Sequence, residues 1–265
     1  MPFISTTAGE LYFDDLGAGA PVVFIPGLGG DARAFAVIAR ALSSDHRTIV
    51  FDPRDAGRSF RATSPYSTAD AALDIAEALE RLELGRVVLV GHSLGGLIAQ
   101  ELTLSRPDLV GRLVLASSHA GSNTWRRAVI ASWIALRSRV EPEAFTRMTL
   151  PWLVAPDFYH HTTQIEGLIR FAARNEWPQT PDAFERQATS AMRHDARGRL
   201  AAIRVPTLVL SGGFDLVNPV PIARALADEI PGARLEVIEA AGHMPHIETG
   251  PEFKNRLAAF LAERP

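Results

Sequence analysis

Short apolar runs recur along the chain at intervals that leave room for a helix between them. Pro21–Ile25, Thr48–Phe51, Val87–Val90, Arg112–Ala116, Thr207–Leu210 and Leu235–Ile238 have strand length and little or no polar alternation, as expected of strands covered on both faces. Glu10–Asp15 reads as an edge strand. Between these runs the spacing changes to that of helices. Asp31–Leu42 follows a placed cap, Asp31. Ala69–Leu84 carries Leu73, Ala76, Leu79 and Leu82 at helical intervals, Leu94–Ser105 is closed by Pro107, and a last helix runs from about Pro251 to Glu263. Strands alternating with amphipathic helices predict an α/β fold with a mostly parallel sheet flanked by helices.

The alternation breaks over residues 121–200. Strand patterns vanish there, and all four tryptophans, Trp125, Trp133, Trp152 and Trp177, fall in this stretch. The segment reads as a helical lid inserted into a core made of residues 1–120 and 201–265. Within it, a helix from about Asn123 to Arg139 can place Trp125, Ile130, Trp133, Ile134 and Leu136 on one side, bracketed by Arg126, Arg127, Arg137 and Arg139.

Composition narrows the function classes. Apolar residues make up 47% of 265, enough for a core without staples, and the net charge is −3 with no like-charge block. That gives no pointer to nucleic acid. There is no cysteine, which removes disulfides, Cys-based zinc sites and a Cys nucleophile. No basic-then-apolar leader opens the chain, and no apolar run reaches the ~20 residues of a membrane span. The expectation is a cytoplasmic enzyme, monomer or homodimer, acting on a small molecule without cofactor or metal.

Gly27-Leu-Gly29-Gly-Asp-Ala32 lies between a strand and a helix and fits G-x-G-x-x-A, with Asp52 ending the next strand. One use of such a loop is a dinucleotide fingerprint, with the acid on a ribose hydroxyl. The other is to free backbone N–H groups for an oxyanion. Gly91-His-Ser93-Leu-Gly95 favours the second. It too joins a buried strand to a helix, the context in which G-x-S-x-G projects a nucleophilic serine above the sheet. The N–H donors expected to hold the oxyanion are then those of Leu94 and Leu28. The order Ser, acid, His is completed by Asp215 and His243, each just past a strand. His246, three residues on, is the rival base. His92 is expected to pack away from the pocket, whereas His119, after the fourth strand, is expected to line it. His160 and His161 read as solvated lid residues.

With these motifs in order, the chain resembles the α/β-hydrolase superfamily of serine hydrolases over nearly its full length, and within it small bacterial enol-lactonase, aminoacrylate hydrolase and carboxylesterase types. The return sequence His194-Asp-Ala-Arg-Gly-Arg-Leu is similar to that group. Two positions depart from the pattern: Pro26-Gly27 stands where many relatives have His-Gly, and Asp55 replaces a glycine in the Asp52–Ser59 turn. The resemblance implies hydrolysis of a carboxylic ester or lactone through an acyl-enzyme. Carbon–carbon bond hydrolysis of ring-cleavage products and perhydrolysis use the same triad, and a slow ligand receptor is the rival outside enzymes. Trp125, Trp133 and Trp152, with His119, are the candidate substrate contacts in a largely apolar pocket. A small anionic substrate would require an arginine pointing inward.

Overall fold

Eight strands form one sheet in the computed structural model, which describes residues 2–263. In chain order they are β1 (Phe3–Ser5), β2 (Glu10–Leu16), β3 (Pro21–Ile25), β4 (Arg47–Phe51), β5 (Val87–His92), β6 (Val110–Ala116), β7 (Thr207–Gly212) and β8 (Arg234–Ile238). Across the sheet the order is β1-β2-β4-β3-β5-β6-β7-β8. The β1–β2 and β2–β4 pairs are antiparallel, and every pairing from β4 to β8 is parallel.

The apolar runs form strands because both faces are covered. Side chains of a strand alternate between faces, and in β3 Val23 and Ile25 enter one apolar layer while Val22 and Phe24 enter the other. Helices α1 (Ala36–Leu42) and α10 (Gly250–Ala262) cover the second layer with Ile38, Leu42, Phe253, Leu257 and Phe260. Helices α2 (Thr68–Arg81), α3 (Leu94–Ser105) and α8 (Val220–Glu229) cover the first with Ile75, Leu79, Leu97, Ile98 and Leu226. Each such side chain contributes roughly 1.5–3 kcal/mol of burial.

Three expectations need correction. Glu10–Leu16 is not the edge: β1 pairs with it through Phe3–Tyr12 and Ile4–Leu11 and takes that place. Three residues are too few to leave a periodic signal. The helix expected from Asp31 begins instead as a tight 3₁₀ turn over Ala32–Phe35, which Asp31 caps by accepting the Arg33 N–H. In α2 the inward face is Ala72, Ile75, Ala76 and Leu79, and Leu73 is exposed. Asp74, buried and paired with Arg54 at 2.5 Å, occupies the face beside them.

Between β6 and β7 lie α4 (Thr124–Arg137), α5 (Pro142–Leu153), α6 (Thr162–Ala173) and α7 (Pro181–Arg193). Asn123 and Thr180 cap α4 and α7, and Pro142 and Pro181 open α5 and α7. An isolated antiparallel bridge, Gly121 to Asp195, closes the neck of this insertion. A short helix, α9 (Pro245–Glu248), follows β8. Among the described residues no helix is long and apolar enough to cross a membrane.

Candidate active site

Ser93 is the single residue between β5 and α3, at φ 50° and ψ −114°. The glycines around it make this turn possible. A Cβ on Gly91 would collide with the Gly95 carbonyl oxygen, and one on Gly95 with that of Ile25. The Ser93 N–H is held by the Ala116 carbonyl at 2.8 Å, and its own carbonyl accepts the Gly96 N–H and the Ser118 hydroxyl. The hydroxyl is thereby left free at the carboxyl end of the sheet.

His243 and Asp215 reach Ser93 from the loops after β8 and β7. His243 Nε2 is 3.0 Å from Ser93 Oγ, and Nδ1 is 3.0 and 2.9 Å from the two Asp215 oxygens. Asp215 Oδ1 also accepts the N–H groups of Val217 and Asn218 at 2.8 and 2.7 Å. Burial alone would raise the Asp215 pKa. The adjoining His243 and the two N–H donors outweigh it and hold the carboxyl below its usual range. A carboxylate on Nδ1 places the imidazole proton there and leaves Nε2 to accept from the serine.

His246 makes no such contact: its ring stacks on Phe35 with centroids 4.5 Å apart. His92 differs from expectation. It forms part of the pocket wall, and its Nε2–H donates to the His243 carbonyl at 2.7 Å, fixing the loop that carries that residue. Burial, then the neighbouring His243, lowers its pKa to about 3, so the ring is neutral.

The Leu28 N–H makes no hydrogen bond among the described residues. Leu94 opens α3, whose first N–H groups have no partner within the helix. The neighbouring Gly29 N–H is held at 3.0 Å by Gln187 of α7, a residue that sequence reasoning missed. Asp52, buried, accepts the Ala32 and Arg58 N–H groups at 2.6 and 2.7 Å, so its carboxylate braces this loop. Asp55 occupies the departing turn at φ 66° and pairs with Arg186 of α7 at 2.7 Å. Glu248 accepts N–H groups from Gly242, Met244 and Ala155, and the His243 N–H bonds to the Leu153 carbonyl, which joins the His243 loop to the end of α5.

Above Ser93 lies a cavity of about 150 Å³ between the strand ends and α4, α5 and α7. Its wall is largely apolar, with Leu28, Ile130, Trp133, Phe145, Leu153 and Phe184. Trp133 and His119 line it. Trp125 and Trp152 do not. They pack against each other on the outside, ring centroids 6.1 Å apart, both partly exposed. Trp125 precedes the residue of α4 that turns inward, so it points away. That inward residue is Arg126, 1% exposed and part of the wall. Its spacing with Val129, Ile130 and Trp133 is the i, i+3, i+4, i+7 of one helical face, a signal that its charge masked.

Comparison with known proteins agrees with this architecture. A relative in Azorhizobium caulinodans, provisionally named carbamate hydrolase RutD, is 29% identical over 99% of both chains. A thermophilic esterase from Thermogutta terrifontis superposes with a TM-score of 0.87 at 27% identity, covering 98% of this chain and 97% of that one. The enol-lactonase from Burkholderia xenovorans LB400 has the same TM-score at 26% identity, covering 99% and 100%. Residues 22–255 match the alpha/beta hydrolase family. With a mostly parallel sheet, a serine on the strand-to-helix turn and a match spanning most of its length, this chain belongs to the alpha/beta hydrolase family.

Proposed function

We propose that this hydrolase cleaves a carboxylic ester or lactone of a small, largely apolar substrate through an acyl-enzyme formed on Ser93. The observation that carries the reading is the unbroken hydrogen-bonded line Asp215–His243–Ser93 at the floor of an apolar cavity. Ser93 Oγ attacks the carbonyl carbon as His243 Nε2 takes its proton. The N–H groups of Leu28 and Leu94 hold the oxyanion. Collapse expels the alcohol, which receives the proton from His243. Water then attacks the acyl-enzyme, His243 takes the water proton, and the acid leaves with Ser93 restored. Asp215 keeps the imidazole in the required tautomer and stabilises its charged form. The helices between β6 and β7 act as the lid that excludes bulk water.

A carbamate presents the same carbonyl to the same groups, and the name of the relative in Azorhizobium caulinodans makes it the second class to assay. The test is a screen of esters, lactones and carbamates with Ser93→Ala alongside. Turnover by the parent should fall on the order of 10⁴-fold or more in the variant, and a fluorophosphonate probe should label the parent alone. Undiminished labelling of Ser93→Ala would remove Ser93 from the role.

A further inference from the structure

One cation of the apolar wall, Arg126, has no counterion among the described residues. Arg126 lies in the first turn of α4, almost fully buried. Its Nη1 donates to the Gly121 carbonyl at 3.2 Å and its Nε to the Val217 carbonyl at 3.4 Å, a weak contact. Its Nη2 has no partner among the described residues. No carboxylate among them comes within ion-pair distance. The acid whose field reaches it, Asp215, is already committed to His243 and two backbone N–H groups. Burial lowers the guanidinium pKa to about 10, which leaves it charged at neutral pH.

This placement opposes folding. A buried charge without a partner is costly, and the positive end of α4 makes it more so. A methionine would fill similar space without either cost. Among the described residues, His119 Nδ1 on the same wall is also buried without a partner, as is one acceptor, Asn218 Oδ1. In the tautomer protonated at Nδ1, His119 is a second donor. The adjoining outer cavity, about 270 Å³, shares Leu28, Phe145 and Leu153 with the inner one. Its acid, Asp31, is neutralised by Arg33 at 2.5 Å. Its Arg137 hydrogen-bonds, among the described residues, to a backbone carbonyl alone, that of Gln179. Both cavities therefore favour an anion.

Resting on the ester or lactone reading above, we infer that the substrate carries a carboxylate, which Arg126 receives while the carbonyl to be attacked sits at Ser93. The substrate class is a diacid monoester or an acid-bearing lactone, with an apolar linker against Ile130, Trp133 and Phe184.

The test uses monomethyl esters of the diacids from succinate to suberate, each beside the methyl ester of the monoacid of equal length. Acid release is followed by titration at constant, near-neutral pH. In the parent enzyme at least one charged ester should exceed its neutral partner in kcat/KM by about 10- to 100-fold, the worth of a charge-assisted hydrogen bond. Arg126→Gln should collapse that ratio, chiefly through KM, and Arg126→Lys should restore part of it. Thermal melts check that the variants fold. Calorimetric binding of the same pairs to Ser93→Ala, with and without Arg126→Gln, reads the preference without chemistry. A preference in binding that depends on Arg126, with no ester hydrolysed, keeps the carboxylate site and overturns the reaction. Hydrolysis at Ser93 with no preference at any length, or a preference indifferent to Arg126→Gln, overturns the carboxylate site and keeps the reaction.

Discussion

Ser93 holds a backbone conformation that L-residues seldom adopt, φ 50° with ψ −114°. The surrounding bonds to Ala116 and Gly96 keep it there, and the gain is a hydroxyl presented to His243 rather than packed under α3. Leu28 poses the complementary question, because the proposed mechanism uses its N–H and not its side chain. Leu28→Ala should change turnover only a few-fold through pocket shape. Leu28→Pro deletes the donor and should cost about 10²- to 10³-fold, the usual loss for one oxyanion contact. Circular dichroism and probe labelling of Ser93 establish that the proline variant is folded. Equal rates for the two folded variants would mean that another group holds the oxyanion.

At the scale of elements, α7 links the insertion to the loops beneath it. Gln187 Oε1 accepts from Gly29 and from the Gln179 amide, and its Nε2 donates to the Arg54 carbonyl. One residue back, Arg186 binds Asp55 with two hydrogen bonds, at 3.0 and 2.7 Å. The helix thus sets the position of the strand β3 loop and of the turn after β4 together. Gln187→Leu keeps the volume and removes the bonds. Since displacements near 1 Å can cost about 10²-fold, kcat should drop by about 10- to 100-fold, with a smaller change in KM. The rate of fluorophosphonate labelling should slow in step. A variant with parental kcat would mean that the Leu28 loop holds its shape without α7.

For the molecule as a whole, four imidazoles besides that of His243 are buried in or near the site. Burial is the first cause in each case. It lowers His92 to about 3 and His194 to about 4, and puts His119 and His246 well below their ordinary range. The folded pKa lies below the unfolded one, so the unfolded chain takes up the proton first. Each contributes stability that is whole above about pH 6.5 and is lost as pH falls toward the folded value. Asp52, raised to about 6 by burial, acts in the opposite sense over the lower part of that window. His246 isolates one contribution because its ring sits between Phe35, Phe253 and His92. Whatever His246→Phe does at neutral pH, its stability relative to the parent should rise by about 1.4 kcal/mol between about pH 7.5 and about pH 5.5. Urea unfolding at both pH values measures it, and parallel pH curves for the two proteins would refute the linkage.

What could be read from the chain was local. The buried strands declared themselves by short apolar runs, and Ser93, Asp215 and His243 by standing just past strands with glycine beside or near them. Those signals span a few residues because the turn geometry does. The sequence by itself therefore determined the α/β architecture and which serine, aspartate and histidine would meet. Tertiary structure decided everything that depends on which faces pair. Gly29 and Gln187 lie 158 residues apart, Asp55 and Arg186 131 apart, and no local pattern couples them. The three-residue β1 exists only because β2 offers it an open edge. On α4, helical spacing alone allows either Trp125 or Arg126 to turn inward, and hydrophobicity favours the tryptophan. The packed insertion puts Arg126 in the wall and leaves Trp125 outside against Trp152, because the Gly121 and Val217 carbonyls meet the guanidinium on the inner side of the helix, a contact no local pattern foretells.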